Sequence, residues 1–194
     1  MKELPQIFNG DEVRAVLDGR KTQHRVPMKP QPTSDNRNPG GTKNMPDGWV
    51  RWQSNPDGVY PASPSCPHGQ VGDRLWVREK WRFYAWHFDD GVAGIEYSDG
   101  QRRASDLPDS VTEEQAERWW IQCSDDCKSA GAELAADGNY WLEDMALPTR
   151  WRSPVTMPKW ASRLTLEITE VRVQRDTNCW VWARTFKRVE VDHD

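Results

Sequence analysis

The chain has 194 residues, 36% hydrophobic and 29% charged, with twelve Trp and a formal net charge of −4. No apolar run approaches bilayer length, and the opening MKELPQIFNG lacks the apolar centre of a secretory signal, so the expectation is a soluble, cytoplasmic protein with no membrane partner. Four Cys (Cys66, Cys123, Cys127 and Cys179) are too few and too scattered for a disulfide framework, so a lean core must draw on its indoles.

Charge is spread unevenly. Acids dominate from Asp89 to Asp144, opposed only by Arg102, Arg103, Arg118 and Lys128. From Arg150 to Arg188 the balance reverses, with only Glu167, Glu170 and Asp176 against the basic residues. Such asymmetry points to nucleic-acid contact by the basic part, or to an ordinary basic surface beside an acidic appendage.

Residues 11–18, DEVRAVLD, set Val13, Val16 and Leu17 on one helical face, with Asn9 or Asp11 as N-cap and Gly19 at the end. The helix delivers GRKTQHR, which gathers Arg20, Lys21, His24 and Arg25. Cations suit a helix C-terminus, and they equally suit a phosphate or a polar base. Residues 27–69 are rich in Pro, Gly, Asn and Ser and read as an irregular excursion, with a short strand at GWVRWQ. GQVGDRLWVREKWRFY reads as a turn and one strand over 72–82, in which Leu75, Val77, Glu79 and Trp81 alternate with Trp76, Arg78, Lys80 and Arg82. Glu79 on the apolar face is costly unless paired, with Arg25 or Arg163 as its partner, or else it is an acid of raised pKa.

The acidic portion, 86–148, contains a hairpin at GVAGIEYSDGQRR, a helix capped by Ser110 or Thr112, and a short strand or turn at GNYWLED. SRLTLEITEVRVQR and CWVWARTFKRVEV are β-rich, and DTN between them makes an antiparallel hairpin. The expected core is Val13, Val16, Leu17, Leu75, Val77, Leu166, Ile168, Val171 and Val181, with Trp180, Trp182 and one of Trp119 and Trp120. Cys123 and Cys127 with Cys66 and His68 make a four-ligand set, but the spacing matches no common zinc finger, so neither metal nor cofactor is expected.

Four segments in order, LDGRKTQHR, GQVGDRLWVREKW, MPKWASRLTLEITEVRV and WVWARTFKRV, resemble the ASCH-domain family, in particular its phage and prophage ASCH-like branch. The likeness covers residues 1–29, 66–84 and 149–191. It implies an α+β, PUA-like fold: a small bent β-barrel with flanking short helices, in a single domain 1–194 whose acidic insertion is 86–148. It also implies a cleft lined by GRKT and associated with RNA, nucleotides or modified bases. One branch of that family removes acyl groups from cytidine with a Lys in GRKT, a Thr three residues later and a Glu in a later helix. Lys21 matches the Lys; His24 stands where the Thr would be, and only DTN lies where the helix would fall.

Three readings follow. The first is a reader of nucleic acid, nucleotide or modified base. Trp76, Trp81, Trp151 and Trp160 flank basic residues, the combination that stacks bases and neutralises phosphates. Its expected contacts are Arg20, Lys21, Arg25, Trp76, Arg78, Trp81, Trp160 and Arg163. The second is an enzyme, a metal-independent ribonuclease or an amidohydrolase, using Lys21 and His24 with Glu79 as an acid. The third is a mimic whose acidic segment 89–144 imitates nucleic acid and blocks a host protein.

Overall fold

Residues Thr165–Arg175 carry β-branched side chains at Thr165, Ile168, Thr169, Val171 and Val173, and they form β10, the central strand of the largest sheet. A computed structural model describes residues 1–29, 33–34, 42–43, 59–61, 66–87, 91–132 and 149–189. The strands before β10 are β1 (Glu3–Ile7), β2 (Gln23–Pro27), β3 (Thr33–Ser34), β4 (Thr42–Lys43), β5 (Val59–Pro61), β6 (Arg74–Arg78), β7 (Trp81–His87), β8 (Val92–Tyr97) and β9 (Arg102–Asp106). β11 (Trp180–Val189) follows it, and the helices are α1 (Gly10–Leu17) and α2 (Glu113–Ser129). The content is mixed α+β. Among the described residues no helix is long and apolar enough to cross a membrane.

The chain divides into two units, residues 1–6, 15–76 and 164–190, and residues 7–14, 77–163 and 191–194. In the first, β10 and β11 pair antiparallel from Thr165↔Val189 to Arg175↔Trp180, as the DTN turn predicts. The register slips between Ile168 and Glu170. One extra residue moves the buried side chains from even to odd positions: Leu166 and Ile168 are buried before the slip, Val173 after it. The sheet runs β1-β6-β10-β11-β2, with β5 beside β10 as well. It is an open sheet and not the closed barrel expected, because no strand pairing joins its edge strands β1 and β2 among the described residues. The Gln6 side chain nevertheless reaches from β1 to Arg184 of β11 (2.6 Å) and His24 of β2 (3.3 Å).

Asp73 fixes the entry to β6 by accepting from the Lys2 and Gln70 amides at 2.7 and 3.0 Å, and these bonds hold its carboxyl below the usual range. Gly69 nearby has φ 114°, a backbone conformation that side-chain-bearing residues rarely adopt, so a substitution there would be strained. α1 is capped by Asn9, whose side chain and amide exchange bonds with Glu12 at 2.9 and 3.0 Å. Gly19, at φ 72°, ends the helix, and Lys21 N–H closes on the Ala15 carbonyl. Of the expected core, Val13, Val16, Leu75, Val77, Leu166, Ile168 and Val181 are buried, while Leu17 and Val171 are half-buried.

The second unit contains an antiparallel sheet β7-β8-β9 and α2. Thr112 caps α2 in a reciprocal box with Gln115. Trp81, Phe83, Trp86, Ile95 and Tyr97 of the sheet share one core with Cys123 and Cys127 of α2 and with Met157 and Ala161 from two short 3-10 turns. The rings of Trp81, Phe83 and Trp86 meet edge-on at 5.0 Å.

One expectation fails here. The single strand over 72–82 is two strands in different sheets, β6 ending at Arg78 and β7 beginning at Trp81. The alternation continues through Glu79, but its amide donates to Met157 Sδ at 3.4 Å, so the ladder is not extended. The expected elements at GWVRWQ and GNYWLED lie outside the described residues.

Candidate functional site

In the first unit the GRKTQHR segment runs from the end of α1 into β2. Arg20 is exposed and pairs with Asp18 at 2.8 Å. Lys21 is half-buried. Arg25 is exposed, bonded to Gln23 and within 3.5 Å of Asp176. The Thr177 amide, with Arg25 adding to it, holds Asp176 below the usual carboxylate range. His24 stands opposite Arg184 in the β2–β11 register.

Arg184 is the group that sequence reasoning left out of the site. It is 3% exposed, donating through one terminal nitrogen to the His68 carbonyl (2.8 Å) and through the other to Gln6 Oε1 (2.6 Å). Its buried Nε finds no hydrogen-bond partner, and no carboxylate pairs with it among the described residues. Burial lowers its pKa, and burial with this guanidinium nearby lowers that of His68. Cys66 beside them is pushed up by burial. A signal was present in the sequence: Trp182, Arg184 and Phe186 share one strand parity, so the arginine interrupts an apolar face just as Glu79 does.

Several expected contacts are corrected. Glu79 is 1% exposed, and both its oxygens accept from Arg163 at 2.8 Å, which is the pairing alternative and not a catalytic acid with an open oxygen. Arg163 also donates to Asp99 at 2.9 Å and lies 4.1 Å over the Tyr97 ring, so its guanidinium is consumed within the protein. Burial raises the Glu79 pKa against the pull of Arg163. Burial works the same way on Asp99, but the bonds from Arg163 and Gln101 outweigh it and lower its pKa. Lys21 and His24 belong to the first unit and Glu79 to the second. Trp76 (9% exposed) and Trp81 (1%) are core residues and present no ring face to a base. β6 is covered on both sides, which defeats the alternation that put Trp76 outside. Arg78 donates to the Val155 carbonyl at 3.2 Å, and half-buried Trp160 packs on Trp119 at 5.5 Å. Of the expected set, Arg20 and Arg25 are exposed, and Lys21, Arg78, Trp160 and Arg163 are half-buried.

Cys123 and Cys127 are buried and pushed up to about 12 and about 11 by desolvation, which keeps them as thiols. No cluster of three or more metal-ligating side chains occurs among the described residues. No family model, curated protein or solved structure matches this chain.

Proposed function

We propose that the protein is an ASCH-like, PUA-like module that binds a nucleotide or nucleic acid through its first unit. The observation that carries this reading is Arg184: a buried guanidinium with no carboxylate partner among the described residues, linked through Gln6 to His24 of the GRKTQHR segment. A buried, always-charged group without a counter-ion is costly, and an anionic oxygen would supply both the charge and the acceptors it lacks. Lys21 and Arg25 in the same segment add the positive field that a phosphate chain requires. The strongly bent sheet that a PUA-like fold implies is supported by Gln6 spanning strands at opposite ends of the sheet order.

The two alternatives have less support. An enzyme using Glu79 would need a carboxylate oxygen that Arg163 holds. Of the acids the mimic would use, Asp106, Asp109, Glu113, Glu114, Glu117 and Asp125 are exposed, but Glu96, Asp99 and Asp126 have side chains under 10% exposed and are spent on Arg82, Arg163, and Arg150 with Arg152.

The test is fluorescence anisotropy with a short labelled single-stranded RNA at two salt concentrations. Binding should weaken with salt by a log–log slope of roughly 0.7 per phosphate neutralised, and Lys21→Ala should lower that slope by about one contact while leaving Tm unchanged. Arg184→Gln should reduce affinity more than Lys21→Ala does. Absence of binding at the lower salt concentration would remove the reading.

A further inference from the structure

The second unit carries a groove of about 440 Å³ that none of the residues above accounts for. Residues of β7, of α2 and of the segment 149–156 line it: Trp81, Trp119 and Trp151, with Arg118, Arg150 and Arg152. The segment is anchored on one side by β7, where Trp81 and Arg152 exchange backbone bonds and Thr149 Oγ1 donates to the Phe83 carbonyl. On the other side α2 holds it, through Arg152 to Gln122 (3.2 Å) and Asp126 (2.9 Å) and through Arg150 to Asp126 (3.0 Å). Trp151 is thereby fixed in an exposed position, with 39% of its surface open. Arg82 and Lys80 lie 4.9 and 5.6 Å from its ring centroid.

Among the described residues the charges do not balance. Arg82, Arg118, Arg150 and Arg152 meet Glu96, Glu114 and Asp126, and Asp126 serves two arginines while Glu96 also pairs with Arg102. Two more donors behind the wall, Trp81 Nε1 and Arg152 Nε, are buried without a hydrogen-bond partner among the described residues. An anion is therefore favoured. An exposed indole beside groove-lining arginines suits an anion that also carries a flat ring, because the ring stacks on the indole and Arg118 and Arg150 take the charge. The volume lies near the lower end of the roughly 300–1,000 Å³ of small-ligand pockets, enough for one such unit and too little for a duplex.

We propose that this groove is a second binding site that takes a single nucleotide, its base stacked on Trp151 and its phosphate held by Arg118 and Arg150. It is independent of the Arg184 site, and either can fail alone.

The probes are adenosine 5′-monophosphate, adenosine and inorganic phosphate, titrated into the full chain labelled with nitrogen-15 while the indole N–H resonances are followed. The monophosphate should shift the Trp119 and Trp151 signals saturably. Trp151→Ala should weaken it at least about fivefold, as the loss of one stacking face predicts, and Trp151→Phe should keep most of the affinity. Arg118→Gln should weaken the monophosphate and leave adenosine unchanged, while Arg184→Gln should leave the groove titration as it is. Equal shifts from phosphate alone would make this a bare anion site and overturn the proposal. So would equal competition by a poly-glutamate peptide, an unchanged titration in Trp151→Ala, or no shift with the monophosphate at about 10 mM, well above the affinity of a site that both stacks and pairs.

Discussion

Replacing Arg163 by Met isolates the energetics of the buried charge cluster. The wild-type guanidinium, 10% exposed, makes two bonds to Glu79 and one to Asp99, whose side chains are 1% and 5% exposed. Methionine keeps much of the volume over the Tyr97 ring but strands two buried carboxylates. Breaking a buried pair by removing one partner costs about 3–5 kcal/mol. For a chain of this size that corresponds to a Tm lower by roughly 6–20 °C. The pH dependence follows from the direction of each shift. In the wild type the Glu79 pKa is raised and that of Asp99 lowered, so the Glu79 contribution is lost as pH rises and the Asp99 contribution as pH falls. In the variant both lose their counter-ion, both pKa values rise, and both contributions are lost as pH rises. The gap between the two proteins should therefore narrow as pH falls from about 7 towards about 4.5, where such carboxyls accept protons. Thermal melts followed by circular dichroism at the two pH values measure it. A loss under about 1 kcal/mol, the range of exposed pairs, or a gap that does not change with pH, would refute the reasoning.

Thr112→Ala removes the capping box of α2 and should cost about 1 kcal/mol, lowering Tm by roughly 2–4 °C in the same melts. The four thiols should separate cleanly towards Ellman's reagent in the native state. Half-exposed Cys179 reacts first, while buried Cys66, Cys123 and Cys127 wait for unfolding, and an early burst of more than a single thiol would contradict their burial.

Local signals made much of the fold legible. Val13 and Val16 with Gly19 gave α1, Thr112 before an acidic turn gave α2, and DTN between two β-rich runs gave the β10–β11 hairpin. What was not legible depends on distant partners. LWVREKW alternates without interruption, and the strand breaks because a sulfur 78 positions away takes the Glu79 amide. Strand parity placed Trp76 outside, whereas Leu75, Trp76 and Val77 are buried in succession, so both faces of β6 are covered. The Glu79 cost was visible in the sequence, but which of two arginines meets it is a tertiary fact. Arg184 bore the same mark, a charge on an apolar strand face, without a partner to suggest its role. The slip at Thr169 left one trace in the sequence, since the expected core at Leu166, Ile168 and Val171 changes parity across it.

The reach of Gln6 across the sheet makes the boundary between β1 and β2 a latch and not a weld. Backbone ladders in this sheet part only by breaking many bonds together, whereas here side chains do the joining, at about 0.5–3 kcal/mol for each bond. The latch can therefore open while β6, β10 and β11 stay zipped, a sub-global event far cheaper than unfolding. On the reading proposed above, an incoming anion would displace the amide oxygen that holds Arg184. Admission of a ligand and release of the latch would in that sense be one exchange of acceptors on a single guanidinium.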